Sequence, residues 1–252
     1  MARSFTSSSA NYLLSGTTPY SDTPIAISAW VYPTVLGNWP WIFGVQASGT
    51  TEHFHILQLS DNDDLKVATK AGGSYLAATT TTTFSINTWA HVCGIFAAAN
   101  DRRAFKNAGG KGTNIASGSP SNITRTWIGN SPWGGGDGWN GRIAHVAFWD
   151  LSAWSGATAS DKADNFEITT LPALAKGYSP AFFNMGLIAY WPLLRHDNDI
   201  VGGFDMTAYN TPTWADQPRI IMPAPPFISF PTAGTAVTID VSDVFDITQT
   251  LD

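Results

Sequence analysis

Short apolar runs alternate along this chain with breaks rich in Gly, Asn and Ser, and most runs have the two-residue period of a half-buried strand. Residues 25–32 are the plainest case: Ile25, Ile27, Ala29 and Val31 share one face, and Pro33 ends the run. Residues 5–14 alternate loosely and predict a first, edge-like strand. Residues 41–45 follow a Gly37-Asn38 turn. Residues 53–59 and 65–70 predict a hairpin across the acidic tip Ser60-Asp61-Asn62-Asp63-Asp64. The threonine run between Tyr75 and Phe84 favours extended backbone. Further strands are expected over 89–96, 102–106 and 113–117. Residues 126–128 lead into a glycine-rich loop at 134–138. Residues 142–149 then resume with apolar positions on both faces, as in a strand covered from both sides.

Turn signals every eight to twelve residues are those of an all-β sandwich or barrel. Helical signals gather only after residue 155. Ser160 is placed to cap a short helix over 161–168, with acids in its first turn. Residues 171–176 suggest a second turn of helix, stopped at Gly177 with Pro180 beyond. Strands return at 187–191 and around 206–209. The run Met222-Pro223-Ala224-Pro225-Pro226-Phe227 marks a boundary, since such a segment is extended and cannot join a central strand. A domain over 1–222 and an extended C-terminal arm over 223–252 are therefore expected. The arm alternates at Val237, Ile239 and Val241 but carries too little bulk for its own core. Pro225, Pro226, Phe227, Phe230, Val237, Ile239 and Val241 are its candidate assembly contacts.

Composition narrows the function classes. Charged residues make up 13% of the chain, about half the usual share, so much of the surface is neutral or covered by another chain. The net charge of −6 offers no basic stripe for phosphates, which argues against nucleic acid. The single cysteine, Cys93, excludes an intrachain disulfide framework and sits between apolar residues as a buried thiol would. No apolar run approaches bilayer length, so no membrane span is expected. The opening MARSFTSSSANYLL lacks the apolar core of a signal peptide, which points to synthesis in a cytoplasm.

An ordered series of segments resembles the laminin-G-like, concanavalin-A-like lectin/glucanase jelly-roll superfamily. It comprises Ile27-Ser-Ala-Trp-Val-Tyr-Pro33, Asn87-Thr-Trp-Ala-His-Val92, Arg103-Ala-Phe-Lys-Asn-Ala-Gly109, Trp127-Ile-Gly-Asn130 and Trp139-Asn-Gly-Arg-Ile-Ala-His-Val-Ala-Phe-Trp149. The last of these matches the family's Gly-x-Ile strand at Gly141 and Ile143. The resemblance covers about residues 5–215 and implies a two-sheet antiparallel jelly-roll sandwich with one or two short helices. A softer likeness joins Ala173-Leu-Ala-Lys-Gly-Tyr-Ser-Pro180, Leu187-Ile-Ala-Tyr-Trp-Pro-Leu193 and Asp216-Gln-Pro-Arg219 to phage versions of the domain. It implies a structural virion protein made in a host cytoplasm. Such a protein would decorate a capsid or tail, with the major capsid or tail protein as partner and a homo-oligomeric state.

The candidate chemistry is sparse. Glycosidases of this superfamily cut with paired glutamates, one protonating the leaving oxygen while the other attacks or activates water. Here the only glutamates, Glu52 and Glu167, lie far apart in different element types, so a non-enzymatic protein is expected. Asp61, Asp63 and Asp64 could offer oxygens to Ca²⁺ but lack the loop that completes a calcium site, and a solvated turn explains them as well. His53 and His55 share a strand face without an obvious third metal ligand. His91 and Cys93 share another without an orienting group, and His145 lies in an apolar strand. Trp and Tyr faces stack on sugars while amides bind hydroxyls. Trp39, Trp133, Asp137 and Trp139, with Trp41, Asn38 and Asn130 nearby, therefore form a candidate carbohydrate-binding rim for a surface glycan. Core packing and subunit contact are its competing explanations.

Overall fold

A computed structural model of the chain describes residues 1–7, 11–130 and 138–223. In chain order the strands begin with β1 (Ala2–Phe5), β2 (Tyr12–Ser15), β3 (Ile25–Pro33), β4 (Trp41–Ala47) and β5 (His53–Leu59). They continue with β6 (Asp64–Ala71), β7 (Ser74–Thr83), β8 (Ala90–Ala98), β9 (Asp101–Lys106) and β10 (Gly109–Asn114). After β11 (Ile123–Ile128) and β12 (Gly141–Asp150) come helices α1 (Ala159–Thr169) and α2 (Leu171–Ala175). Strands β13 (Leu187–Trp191), β14 (Thr207–Tyr209) and β15 (Thr213–Ala215) complete the fold. One antiparallel sheet holds eight strands in the order β10-β9-β8-β3-β12-β1-β15, with β13 also on β12; the other runs β14-β2-β11-β4-β5-β6-β7. This is the two-sheet antiparallel jelly-roll sandwich that the resemblance implies, and of the sandwich or barrel that the turn spacing allows it is the sandwich.

Both faces of the eight-stranded sheet are covered, which explains why β12 is apolar on both sides. Inward, Ile27, Ala29 and Val31 of β3 and Ile143, Val146 and Phe148 of β12 meet Phe43, Val45, Leu57 and Val67 of the opposite sheet. Outward, Ala147, Trp149, Cys93 and Ile95 pack under Ala163 and Phe166 of α1 and Leu171 and Leu174 of α2. Along one side β12 serves two partners: β1 pairs with Ile143 and its neighbours, and β13 with Val146 to Trp149. At the changeover His145 takes a φ of 51°. Its Nδ1 lies 2.6 Å from the Tyr190 hydroxyl and its Nε2 3.3 Å from Gln217 Oε1.

The outer face of the seven-stranded sheet depends on one close approach. Trp127 lies across Gly44 of β4, its cross-strand partner, and a Cβ on Gly44 would come within 2.2 Å of the ring. The ring then stacks on Trp41 at 4.9 Å, and its Nε1 donates to Gln46 Oε1 at 3.1 Å.

At one flank the two sheets nearly touch: a Cβ on Gly112 of β10 would lie 1.8 Å from the Thr79 carbonyl of β7. At the opposite flank the outermost strands, β14 and β15, are three residues each. The fully buried Arg102 binds the carbonyls of Ala99, Ala116 and Gly118 and the amide oxygen of Asn114, and carries no carboxylate in that set.

Several expectations change. Residues 5–14 do not form one strand; β1 and β2 lie in opposite sheets, and Asn11 Oδ1 accepts from Thr6 N at 2.6 Å between them. The strand expected at 113–117 begins earlier and ends at Asn114, because Arg102 draws the following carbonyls out of ladder geometry. Thr158, not Ser160, caps α1: Thr158 and Asp161 form a reciprocal capping box. The Ser160 hydroxyl instead donates to Asp101 at 2.6 Å. Strand β15 was not expected. The arm beyond Pro223, with Pro225, Pro226, Phe227, Phe230, Val237, Ile239 and Val241, lies outside the described residues.

Two consequences are measurable. Gly44→Ala must displace the Trp127 ring, at a cost of about 1–3 kcal/mol, typical of overpacking. A lowered denaturation midpoint with a changed near-ultraviolet circular dichroism signal is expected, and an unchanged midpoint would refute the contact. Burial pushes the imidazoles of His55 and His91 down to about 3 and that of His145 to about 4. The unfolded chain, titrating near 6.5, then binds more protons than the folded one as pH falls. Stability is therefore full above about pH 6.5 and drains toward the folded values, by roughly 1.4 kcal/mol per histidine per pH unit. Thermal midpoints should drop steeply between about pH 7 and about pH 4.5, and a flat profile would show that these rings are not buried and neutral.

Candidate functional site

The chain enters β4 through three consecutive left-handed residues, Gly37 (φ 77°), Asn38 (φ 58°) and Trp39 (φ 51°). Glycine takes this conformation freely and asparagine tolerates it. A tryptophan there is strained, by an amount of order 1–3 kcal/mol. The loop is over-determined on both sides: Gly37 N donates to Asp63 Oδ1 at 2.9 Å, and Leu59 N donates to the Pro40 carbonyl at 3.0 Å. The Trp39 ring, partly exposed, lies over the Lys66 ammonium at 4.0 Å.

Beside this loop is a polar concavity of about 190 Å³ lined by Ser7, Val35, Gly37, Asn38, Pro40, Gly138 and Asn140. Asn140 holds its far wall. Its Oδ1 accepts from Ser7 N at 3.0 Å, its Nδ2 donates to the Ser7 hydroxyl at 2.6 Å, and its carbonyl accepts from Thr34 N at 3.0 Å. Gly138 keeps the floor low, because a Cβ there would meet Ser7 and the Asn130 side chain at 3.1–3.3 Å. Asn130 is buried, and its Oδ1 has no hydrogen-bond partner among the described residues.

Of the four residues expected to bind carbohydrate, Trp39 belongs to the loop beside this concavity without lining it, its ring meeting Lys66 instead. Trp133 and Asp137 lie outside the described residues. Trp139 is a correction: it is 1% exposed and belongs to the core between the sheets, so neither ring face can meet a ligand. Its neighbours in sequence, Gly138 and Asn140, take the rim positions instead. Trp41 is likewise occupied, stacked on Trp127. The Ser7–Asn140 pair escaped the sequence reading because its members are 133 residues apart and belong to no local motif.

The acidic hairpin tip is drawn into turn structure. Asp63 Oδ1 binds Gly37 N, and Asp64 Oδ1 accepts from the Ser60 hydroxyl at 2.5 Å, while Asp61 is exposed. Among the described residues no three His, Cys, Asp or Glu side chains gather as metal ligands. His55 turns inward, its Nδ1 2.9 Å from the Thr69 hydroxyl, whereas His53 Nδ1 accepts from Ser121 N. Burial pushes the Cys93 thiol far above its usual range, which disfavours the thiolate a nucleophile needs. Glu52 pairs with Lys70 at 2.8 Å, which holds its carboxyl below the usual range. Glu167, on α1 over the other sheet, pairs with Lys111 and Arg103.

Comparison with known proteins now has a geometry to refer to. The family model for the concanavalin A-like lectin/glucanases superfamily matches residues 7–157, which include the rim loop, Gly138 and Asn140. Comparison with curated protein sequences returns no match. Among solved structures, a provisionally assigned carbohydrate binding protein from Bacteroides ovatus superposes with a TM-score of 0.52 at 18% identity, covering 82% of this chain and 57% of that one. A heptameric SAP-like pentraxin from Limulus polyphemus gives a TM-score of 0.47 at 14% identity, covering 61% of this chain and 74% of its own. Domain 4 of an extracellular arabinanase from Geobacillus stearothermophilus, in complex with arabinotriose, gives 0.42 at 15% identity, covering 58% and 68%. With more than half of its length matched by the family model, the chain belongs to the concanavalin A-like lectin/glucanases superfamily.

Proposed function

We propose that this protein is a glycan-binding module whose contact site is the rim formed by Trp39, Asn38, Ser7 and Asn140. The observation that carries the reading is Trp39: a bulky, partly exposed side chain kept at φ 51° in the loop whose residues Gly37, Asn38 and Pro40 line a polar concavity. Strain of this kind persists where the position of the side chain matters more than its stability cost. Lys66 covers one face of the ring; a pyranose would stack its apolar side on the other while the Asn38 amide reaches a hydroxyl. The carbohydrate-binding name of the Bacteroides ovatus protein of like fold is in line with it.

The reading is one of binding without cleavage. Its support is that Glu52 and Glu167 belong to opposite layers and each is engaged by cations, so the two glutamates do not face a common ligand. The virion-surface role ranks behind it. The phage-like segments are accounted for by packing, with Leu174, Tyr190 and Trp191 buried in the domain itself.

Trp39→Gly separates function from fold. It relieves the left-handed strain, so the thermal midpoint should stay level or rise, while affinity for the best ligand on a glycan array should fall at least tenfold, roughly the loss of one stacking contact. Absence of binding to any glycan by the unaltered protein would sink the proposal, and so would unchanged affinity in the variant.

A further inference from the structure

His145 lies buried between the stretch of β12 that pairs with β1 and the stretch that pairs with β13. Its imidazole makes two neutral contacts: Nδ1 faces the Tyr190 hydroxyl and Nε2 the Gln217 amide oxygen. The Tyr190 hydroxyl in turn lies 3.2 Å from that of Ser179. Gln217 belongs to residues 216–222, which follow β15 and enter no named strand. Asp216, Gln217 and Arg219 are exposed there. This segment is tied a second time through its backbone, since Ile221 N donates to the Gly177 carbonyl at 2.7 Å and Ser179 N to the Ile221 carbonyl at 2.9 Å. One tie ends on His145 and the other on Ser179, and Tyr190 bridges those two residues.

We infer that residues 216–222 form an acid-released latch: a proton on His145 opens this segment while both sheets stay folded. A neutral imidazole suits its two contacts, with one N–H to give and one lone pair to offer, whereas an imidazolium has two N–H groups and a charge that needs water or a carboxylate. No carboxylate meets it. Strands β3 and β13 carry no Asp, Glu, Lys or Arg. Arg3 of β1 is bound to Asp197, Arg142 of β12 lies over Tyr32, and Asp199 is taken up by the N–H groups of Tyr190, Val201, Gly202 and Phe204. The Met1 ammonium repels a charged ring, while Arg195 and Asp216 act on that ammonium in opposite senses. Tyr190 is buried, which keeps its phenol neutral. Water must therefore reach the ring, and of its two partners only Gln217 lies outside the strands, so lifting its segment costs the least structure. Burial holds the ring at about 4 with the segment closed, and an open segment returns it toward about 6.5. Opening takes up a proton, so falling pH favours it, by on the order of twentyfold from about pH 7 to about pH 5.

Hydrogen–deuterium exchange on the full chain, read at single amides and corrected for the pH dependence of exchange itself, tests this. The Ser179 and Ile221 amides should lose roughly twentyfold in protection between about pH 7 and about pH 5. At each pH they should be less protected than Val45 and Leu57 of the core. His145→Asn keeps a residue that tolerates the left-handed backbone and removes the titrating group, so the slope at Ser179 and Ile221 should vanish while the core amides keep theirs. Gln217→Ala, at an exposed position, should lower the protection of both amides at pH 7 and leave the core unchanged. Protection at Ser179 and Ile221 that is flat with pH in the unaltered protein overturns the latch, as does protection equal to that of the core at every pH. So do a slope that survives His145→Asn and protection that Gln217→Ala leaves intact.

Discussion

The covering of one sheet on both faces organises this molecule. Strand β12 must present Ile143, Val146 and Phe148 to the opposing sheet and Ala147 and Trp149 to the helices, while pairing with β3, β1 and β13. A regular strand offers one residue type per face and one partner per edge. The bulge at His145 lets β12 change partner on one side without losing its alternation on either face. The imidazole is then enclosed with Tyr190 and Gln217, and burial holds its pKa down to about 4.

The helical layer gives the sandwich a third tier with a different division of labour. Cys93 and Glu167, which could suggest chemistry in isolation, are absorbed by packing or ion pairing beneath and along α1, and His91 is buried edge-on to Trp30. The opposite end of the molecule keeps its strain instead of relaxing it. Trp39 is fixed by Asp63 and by the Leu59–Pro40 hydrogen bond, so a hairpin tip that invites a reading as a cation site acts as a brace for the rim.

What the sequence revealed follows from the range of the interactions. β3 and β12 were legible because burial writes a two-residue or continuous apolar pattern directly into neighbouring positions. The true cap of α1 was also available locally, since Thr158 and Asp161 stand in capping-box spacing, but the nearer Ser160 competed for it. Trp139 was misplaced because a tryptophan next to a glycine-rich loop gives no sign of which way its ring turns. The left-handed Trp39 was hidden for a related reason. Gly37-Asn38 announced a turn, yet nothing local says that the turn carries one residue further into a side chain that resists it. The Ser7–Asn140 wall exists only through tertiary contact.

The flanks of the sandwich decide how copies of it can meet. On one side β10 presses against β7 so closely that glycine is required at Gly112, and the two sheet margins shield each other. On the other side the sheets end in β14 and β15, three residues each and joined by one short connection. Ladder extension needs a free margin long enough to template a new strand; β14 and β15 are too short for that, and β7, ten residues long, has β10 against it at Thr79. Copies of the domain that met at these flanks would therefore touch through side chains and not through a shared ladder of backbone hydrogen bonds.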